Sequence, residues 1–427
     1  MNRVPPLNVG GSLPGTATWA YSSQGETPVG TPRKAVLAFS GGLDTSFCVP
    51  WLRERDWEVV TVFVDTGGVS KSKVAEIGRR AKALGASKHV SVSAEEAIYD
   101  QIVAPLVRAH ALYEGVYPLM CSDRYVIVEH CAAVARQEGA SAIAHGCTGM
   151  GNDQARFDIA IRALGDWEIL APIRDFQAEV KTGIRQKEIE YLAQRGVEVS
   201  AAHRRYSINQ NVFGVTISGT EIDELREPAK EAFVLTVDPA NAPARAGYYR
   251  LELRKGLPVA LDGKRMPGIE ILKALNARIG RHGCGRFLYT GDCVIGIKGR
   301  IAFECPGITA LLTAHRALAE LTLSKEQNLF LPLVAQKWAT LQYSGLFHDP
   351  LVRDLNRLIE SSQAAVNGTV TLKACRGQLL AVEVRSPDVL RQAGTVYAQA
   401  SAWKPAEAEA FCKLFGMSTV MAARRGR

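Results

Sequence analysis

The sequence predicts an α/β protein: a parallel sheet with helices on both faces, followed by an α+β domain and a terminal helix. Three observations predict it. From Lys34 to about Ile173, short runs rich in β-branched residues alternate with stretches of helical apolar spacing. After about Ala201 this alternation gives way to strand–turn–strand pairs and then to a long helical region. A stretch of glycines and hydroxyls, "SGGLDTS" at 40–46, directly follows the first apolar run. That is the carboxyl end of a predicted strand, where ligands bind in parallel sheets.

The elements follow in order. "KAVLAF" (34–39) is a buried strand, and a helix runs from the glycines to about Arg55. "WEVVTVFVD" (57–65) is a second strand, and the apolar spacing of 71–86 predicts a helix stopped by Gly85. "HVSVS" (89–93) is a third strand. A helix over 123–139 has Asp123 near its start and Gly139 just past its end. "SAIAHG" (141–146) and "WEILAPI" (167–173) are further strands. In the second half, 248–264 reads as strand, turn, strand, and 268–280 as an amphipathic helix. "CVIGIKGRIAFE" (293–304) is strand-like, and "RHGC" (281–284) is a loop leading toward it. The region from Ile308 to about Ala364 is mostly helical, 368–386 is a hairpin, and 406–423 is a terminal helix. The expected division is 33–200, 201–395 and 396–427. Residues 1–32, rich in Pro, Gly, Ser and Thr and without the apolar core of a signal peptide, are expected to be a flexible leader.

Composition narrows the class. At 427 residues, with 47% hydrophobic and 22% charged, the chain is ordinary globular material with room for two or three cores. No apolar run has the length of a membrane span. The net charge of +8 is scattered apart from "RRGR" near the C-terminus, which argues against a nucleic-acid stripe. It fits a mildly basic surface, with nucleotide phosphates accounting for part of it. Nine cysteines, an odd number with no C-x-x-C, suit a reducing cytoplasm and argue against a disulfide framework or a zinc ribbon.

A glycine-rich loop after the first strand presents backbone N–H groups and a helix N-terminus to an anion. Ser40, Thr45 and Ser46 add hydroxyls. The Walker A lysine is absent, and G-x-G-x-x-G is not formed. Asp44 is surplus for phosphate alone but makes sense if Mg²⁺ bridges carboxylate and phosphates. The plain alternative is a strand–turn–helix joint that uses glycine for geometry and a hydroxyl as cap. The form S-G-G-x-D-[ST]-S resembles the pyrophosphate loop of the ATP pyrophosphatase group, the adenine-nucleotide alpha-hydrolase-like domains that split ATP between its α and β phosphates.

A second constellation, "AHGCTGMGNDQARFD" (144–158), starts at another strand end. Asp153 can hold an ammonium, Arg156 a carboxylate through two parallel bonds, and Thr148 and Asn152 supply neutral groups. This set fits amino acids carrying both charges; the plain alternative is a capped turn with a surface ion pair. His145 and Cys147 lack two further ligands at metal spacing, which argues against zinc. Lys298 and Arg300 share a face of a strand-like run, placed either to reach phosphates or simply to be solvated.

From Lys34 almost to the C-terminus the chain resembles the argininosuccinate synthase family, as a divergent bacterial-type subgroup. The resemblance rests on "AFSGGLDTSF" (38–47), "ALYEGVYPL" (111–119), "AHGCTGMGNDQARFD", "APIRD" (171–175), "YSINQN" (206–211), "GLPVALDGK" (256–264), "IGRHGCGR" (279–286), "KGRIAFECPG" (298–307), "AHRALAELTL" (314–323) and "VNGTVTLK" (366–373). It implies ATP-dependent joining of citrulline and aspartate through a citrulline-adenylate, with release of AMP and pyrophosphate. It implies ATP at Ala38, Phe39, Ser40, Gly41, Gly42, Leu43, Asp44, Thr45, Ser46, Val64 and Gly146. It implies aspartate at Thr148, Asn152 and Asp153, and citrulline at Tyr117, Ser122, Asn152, Arg156, Ser207 and Thr216. No catalytic base is assigned, and no protein metal site beyond Mg²⁺ near Asp44. The family pattern further implies a cytoplasmic homotetramer with no nucleic-acid or membrane partner. In that pattern the C-terminal helix reaches other subunits, and "EAFCKLFGM" (409–417) is apolar enough to do so, although a helix packed on its own core would read the same.

The chain departs from the family around the citrulline pocket. Gly291 falls where the family commonly has Glu, and Phe303 replaces a citrulline-contacting Tyr. Asp292 is the neighbour expected to supply the missing carboxylate. "CSDRY" stands where many members have "TSIAR", Asn209 where Asp is frequent, and Thr216 where Ser is usual. Two other readings compete. A tRNA thiouridylase would want catalytic cysteines and a basic RNA surface, and a nucleotide-binding regulator would not need both intact motifs.

Overall fold

The computed structural model describes residues 33–180, 182–197, 206–399 and 401–426, so the expected leader and the expected boundary at 200–201 lie outside the described residues. The first sheet has β1 (Arg33–Ala38), β2 (Trp57–Asp65), β3 (Lys88–Ser93), β4 (Ala142–Ala144) and β5 (Glu168–Leu170), all parallel, in the order β3-β2-β1-β4-β5. The strand period of two divides β1 between two apolar layers: Ala35 and Leu37 pack with Phe47, Val59 and Ile77, while Val36 packs with Val60, Tyr125 and Ile143. Both faces are therefore buried, as the alternation predicts. The strand order reverses direction at β1, with β2 on one side and β4 on the other. A crevice between strand ends opens at such a point, and both candidate motifs leave the sheet there.

Two stretches depart from expectation for local reasons, and a third boundary agrees with it. The strand expected over 167–173 ends at Leu170, because Pro172 lacks an N–H for a ladder and instead opens a helix, Pro172–Glu179. The stretch between β3 and Asp123 carries helical turns from Glu95 to Ala109, with a wider π-type turn at Tyr99–Val103. Pro105 has no N–H to bond the carbonyl of Gln101, a position where a wider turn relieves the ladder. The helix Asp123–Glu138 ends as predicted, with Gly139 in the left-handed region at φ 60°.

The second half holds two antiparallel sheets among the described residues. One orders β6 (Ser207–Asn211), β7 (Gly214–Ser218), β11 (Arg286–Asp292) and β12 (Lys298–Glu304) as β11-β12-β7-β6. The other orders β8 (Gly247–Arg254), β9 (Leu257–Leu261), β10 (Lys264–Arg265), β13 (Gly368–Cys375) and β14 (Gln378–Arg385) as β10-β9-β8-β13-β14. The helix Pro306–Thr322 packs on this second sheet and on the helix Gly268–Gly280. The run expected as one strand over 293–304 begins pairing only at Lys298: Cys293 N–H donates to the Ile297 carbonyl (2.7 Å) and closes the hairpin turn. The terminal helix is two helices, Pro405–Phe415 and Met417–Ala423, joined at Gly416, and its apolar residues Phe411, Leu414 and Phe415 are exposed.

The register of the four-stranded sheet positions much of the site. Phe287 opposes Phe303, Tyr289 opposes Ile301, Gly291 opposes Gly299, and Phe303 in turn opposes Thr216. Ser207 pairs with Ser218, two residues from Thr216. Period two then sets Ser207, Thr216, Tyr289, Gly291 and Phe303 on one face, and Asp292, Lys298 and Arg300 on the other.

Candidate active site

The loop after β1 is shaped by two glycines. Gly41 sits at φ +73°, and a Cβ there would lie 3.0 Å from the Ile77 side chain. Its carbonyl accepts from Arg80 (2.7 Å). Gly42 is the N-cap of the helix Leu43–Arg53, and no side chain caps that end. The first N–H groups of this helix therefore stay open to an anion, with the positive end of the helix dipole behind them. Ser40 Oγ accepts from the Gly42 N–H (3.2 Å) and hydrogen-bonds Thr45 Oγ1 (3.1 Å). Ser46 Oγ is buried without a partner. Gly146, just past β4, approaches so closely that a Cβ would stand 3.3 Å from Thr45 N. Ala38, Phe39 and Val64 form the buried floor at the ends of β1 and β2, and half-buried Leu43 begins the helix.

Asp44 is the exposed member of a carboxyl pair whose buried partner, Glu188, no local pattern marks. Glu188 lies on the helix Ile184–Ala193, which packs against Leu43–Arg53. Burial, then the charge and hydrogen bond of Asp44, push the Glu188 carboxyl up to about 8, so at neutral pH its proton sits between the two groups. The sign of the stability effect follows. Glu188 holds its proton more tightly folded than unfolded, so its contribution is complete below its ordinary value of 4.5 and is lost as pH rises toward 8. We expect Glu188→Gln, which cannot ionise, to flatten the decline of melting temperature across that window. Calorimetric melts at several pH values check this, and an unchanged slope would refute it.

The second motif faces residues from distant elements. Arg156 is buried on the helix Asp153–Leu164; it donates to Asp153 Oδ1 (2.8 Å) and to the Tyr343 carbonyl (2.9 Å), while its Nε has no partner. The second oxygen of Asp153 is held by Arg124 (3.1 Å), which also pairs with Asp123 (2.6 Å). Burial alone would raise the Asp153 carboxyl, but the charges of Arg124 and Arg156 outweigh it and hold it below the usual carboxylate range. Asp153 is thus not a free carboxylate but a half-buried link in a charged chain, Asp123–Arg124–Asp153–Arg156, whose two ends are buried. Asn211, at the end of β6, fastens this chain to the second half of the molecule through Asp123 (2.9 Å). Asn152 does the same, accepting from the Val294 N–H (2.9 Å) and donating to the Tyr343 hydroxyl (3.2 Å). Thr148 lies in the connecting turn, where a Cβ on Gly151 would stand 3.5 Å from its hydroxyl.

Tyr117 and Ser122 are buried, and Ser122 Oγ has no partner. Phe303 packs edge-on against Tyr117 at 5.6 Å between ring centres and opposes Thr216, so Thr216 lies beside the same group. Ser207 is exposed, farther out on the same face. Asp292, near the tip of the β11–β12 hairpin, is exposed and pairs with Lys298 (2.7 Å), and its charge bears on the Tyr113 phenol, which stacks on Tyr343. Arg300 is half-buried and donates to the Arg226 carbonyl (2.9 Å). Lys298 is exposed, and its charge bears on Glu114 and Tyr113 as well as on Asp292. Sequence reasoning missed Glu188, Arg124 and Tyr343. Only Arg124 left a signal, in the unusual "CSDRY".

A parallel sheet with a glycine–hydroxyl loop at its switch point, and a charged cluster at the next strand end, is the architecture of a nucleotide-binding α/β protein. Residues 34–198 match the family model of the arginosuccinate synthase N-terminal HUP domain, and residues 206–422 that of the arginosuccinate synthase C-terminal domain. The chain is 50% identical over 392 residues to an argininosuccinate synthase of Xanthomonas campestris pv. campestris, covering 92% of this chain and 98% of that one. It is 49% identical to that of Xylella fastidiosa (92% and 98% covered) and 38% identical to that of Pyrococcus furiosus (91% and 94% covered). The chain belongs to the argininosuccinate synthase family. It is an AMP-forming ligase of arginine biosynthesis that joins citrulline to aspartate through a citrulline-adenylate.

Proposed function

We propose that the loop Ser40–Ser46, with Gly146, Val64 and the ends of β1, takes the phosphates and adenosine of ATP, and that the Tyr117–Ser122–Arg156 group takes citrulline. Thr148, Asn152 and Asp153 take aspartate, with Arg124 and Arg156 fixing the Asp153 carboxylate in place; Ser207 and Thr216 close the citrulline side. The observation that carries this reading is that Ser46 Oγ, Ser122 Oγ and Arg156 Nε are buried without partners. An unsatisfied buried polar group costs about 1–3 kcal/mol, a cost that a bound ligand removes.

The reaction needs positioning more than proton transfer. The ureido oxygen of citrulline attacks the α phosphorus, pyrophosphate leaves toward the open helix N-terminus, and the amine of aspartate then displaces AMP. Among the described residues no group of three or more His, Cys, Asp or Glu side chains can hold a metal. Mg²⁺ held by one carboxylate plus substrate phosphates does not need such a group, and the exposed Asp44 beside the phosphate loop fits that role. Bound there, Mg²⁺ would supply positive charge for the leaving pyrophosphate. The exposed apolar residues of Pro405–Phe415 support a homotetramer joined through this helix. The free state of all nine cysteines supports a cytoplasmic enzyme. No helix among the described residues is long and apolar enough to cross a membrane.

Substrate omission tests the reading. Pyrophosphate release is expected only with ATP and citrulline present, and mass spectrometry is expected to detect argininosuccinate only when aspartate is added. Pyrophosphate release without citrulline, or a different ligated product, would overturn it.

A further inference from the structure

The side-chain amide of Asn152 has two ends of nearly the same shape and opposite hydrogen bonding. What it can offer a ligand depends on which end points where, and two neighbours fix this. The Val294 N–H can only donate, so the atom 2.9 Å from it is the amide oxygen, Oδ1. Nδ2 then faces the Tyr343 hydroxyl and donates to it (3.2 Å). Held in this way, the amide has one N–H and one lone pair unused among the described residues, and the N–H suits a carboxylate oxygen.

Tyr343 is itself held on every side. It ends the helix Lys325–Tyr343 and is 6% exposed. Its ring stacks on Tyr113, with centres 3.8 Å and planes 10° apart, and meets Tyr117 edge-on at 6.1 Å. Its carbonyl accepts from Arg156 (2.9 Å), and that guanidinium lies 5.0 Å from the ring centre. A cation at a helix C-terminus is favourable, so this contact also pins the helix end. Burial pushes the phenol above its ordinary range, so it stays neutral at physiological pH. Packing against Tyr113 and Tyr117 needs only the ring. A buried phenol oxygen needs a partner as well, and among the described residues its partner is Asn152 alone.

We propose that Tyr343 is a positioning residue for aspartate: its phenol oxygen holds the Asn152 amide so that the remaining N–H is presented to a carboxylate of the substrate. This rests on the reading that Asn152 takes aspartate.

The test is a double-mutant cycle of wild type, Tyr343→Phe, Asn152→Ala and the double variant, with each substrate varied in turn and a thermal melt of each protein. Calorimetric titration with aspartate in the presence of ATP and citrulline replaces KM wherever turnover is too slow to follow. Tyr343→Phe keeps the ring, its stacking and the backbone carbonyl, and removes only the oxygen. It is expected to raise KM for aspartate about three- to tenfold, the worth of one net hydrogen bond, with KM for ATP unchanged and the melting temperature close to that of wild type. In the Asn152→Ala protein the same change is expected to add nothing, because Tyr343 acts through that amide. The proposal is overturned if Tyr343→Phe leaves KM for aspartate unchanged, if it raises KM for ATP equally, or if its effect multiplies that of Asn152→Ala in the double variant. If Asn152→Ala itself leaves KM for aspartate unchanged, the assignment of Asn152 to aspartate fails, and the proposal fails with it.

Discussion

Arg156→Lys is expected to lower kcat/KM for citrulline at least a hundredfold, about 2.7 kcal/mol of transition-state binding, with KM for ATP little changed. Arg156 makes two fixed bonds, to Asp153 and to the Tyr343 carbonyl, and its buried Nε–H has no partner, leaving a third direction for a ligand. A lysine keeps the charge but not the planar fork, so it cannot serve all three directions together. Arg124 still neutralises Asp153 in the variant, so the folded state is expected to survive. Steady-state kinetics with each substrate varied, alongside a thermal melt, separate the two effects. A loss under tenfold, or one matched by a collapse in stability, would reduce Arg156 to a structural role.

Asp44→Ala is expected to cut kcat more than tenfold, over about 1.4 kcal/mol, while leaving thermal stability close to that of wild type. Asp44 is exposed and packs no core, so little burial is lost. Its removal also takes away a charge that disfavours ionisation of Glu188, so the Glu188 carboxyl is expected to titrate lower and the stability–pH slope above pH 4.5 to weaken. Single-turnover release of pyrophosphate is the measurement. A variant retaining a tenth or more of wild-type kcat would rule out the role given to Asp44 at the metal and phosphates.

The sequence by itself determined what depends on neighbours along the chain. The bounds of β2 and of the helix Gly268–Gly280 follow from periodicity, and Gly41 and Gly139 mark left-handed positions that few other residues tolerate. The phosphate loop and the 144–158 motif were legible for the same reason, each being a continuous segment at a strand end. Motif order made the family legible as well.

Only the tertiary structure decided which side chains from separate segments share a low-dielectric space. Glu188 looks like an ordinary helical glutamate until its helix docks against Asp44 and burial keeps its proton. Asp153 reads as a free carboxylate until Arg124 and Arg156 close on it. Asp292, next in sequence to the vacated position, reads as a free carboxylate until the hairpin register sets Lys298 opposite it. Glu114, far away in the sequence, comes to stand beside Gly291 and accepts from the Tyr289 hydroxyl. Charges act through space, and their partners are set by docking and register, neither of which a local pattern encodes.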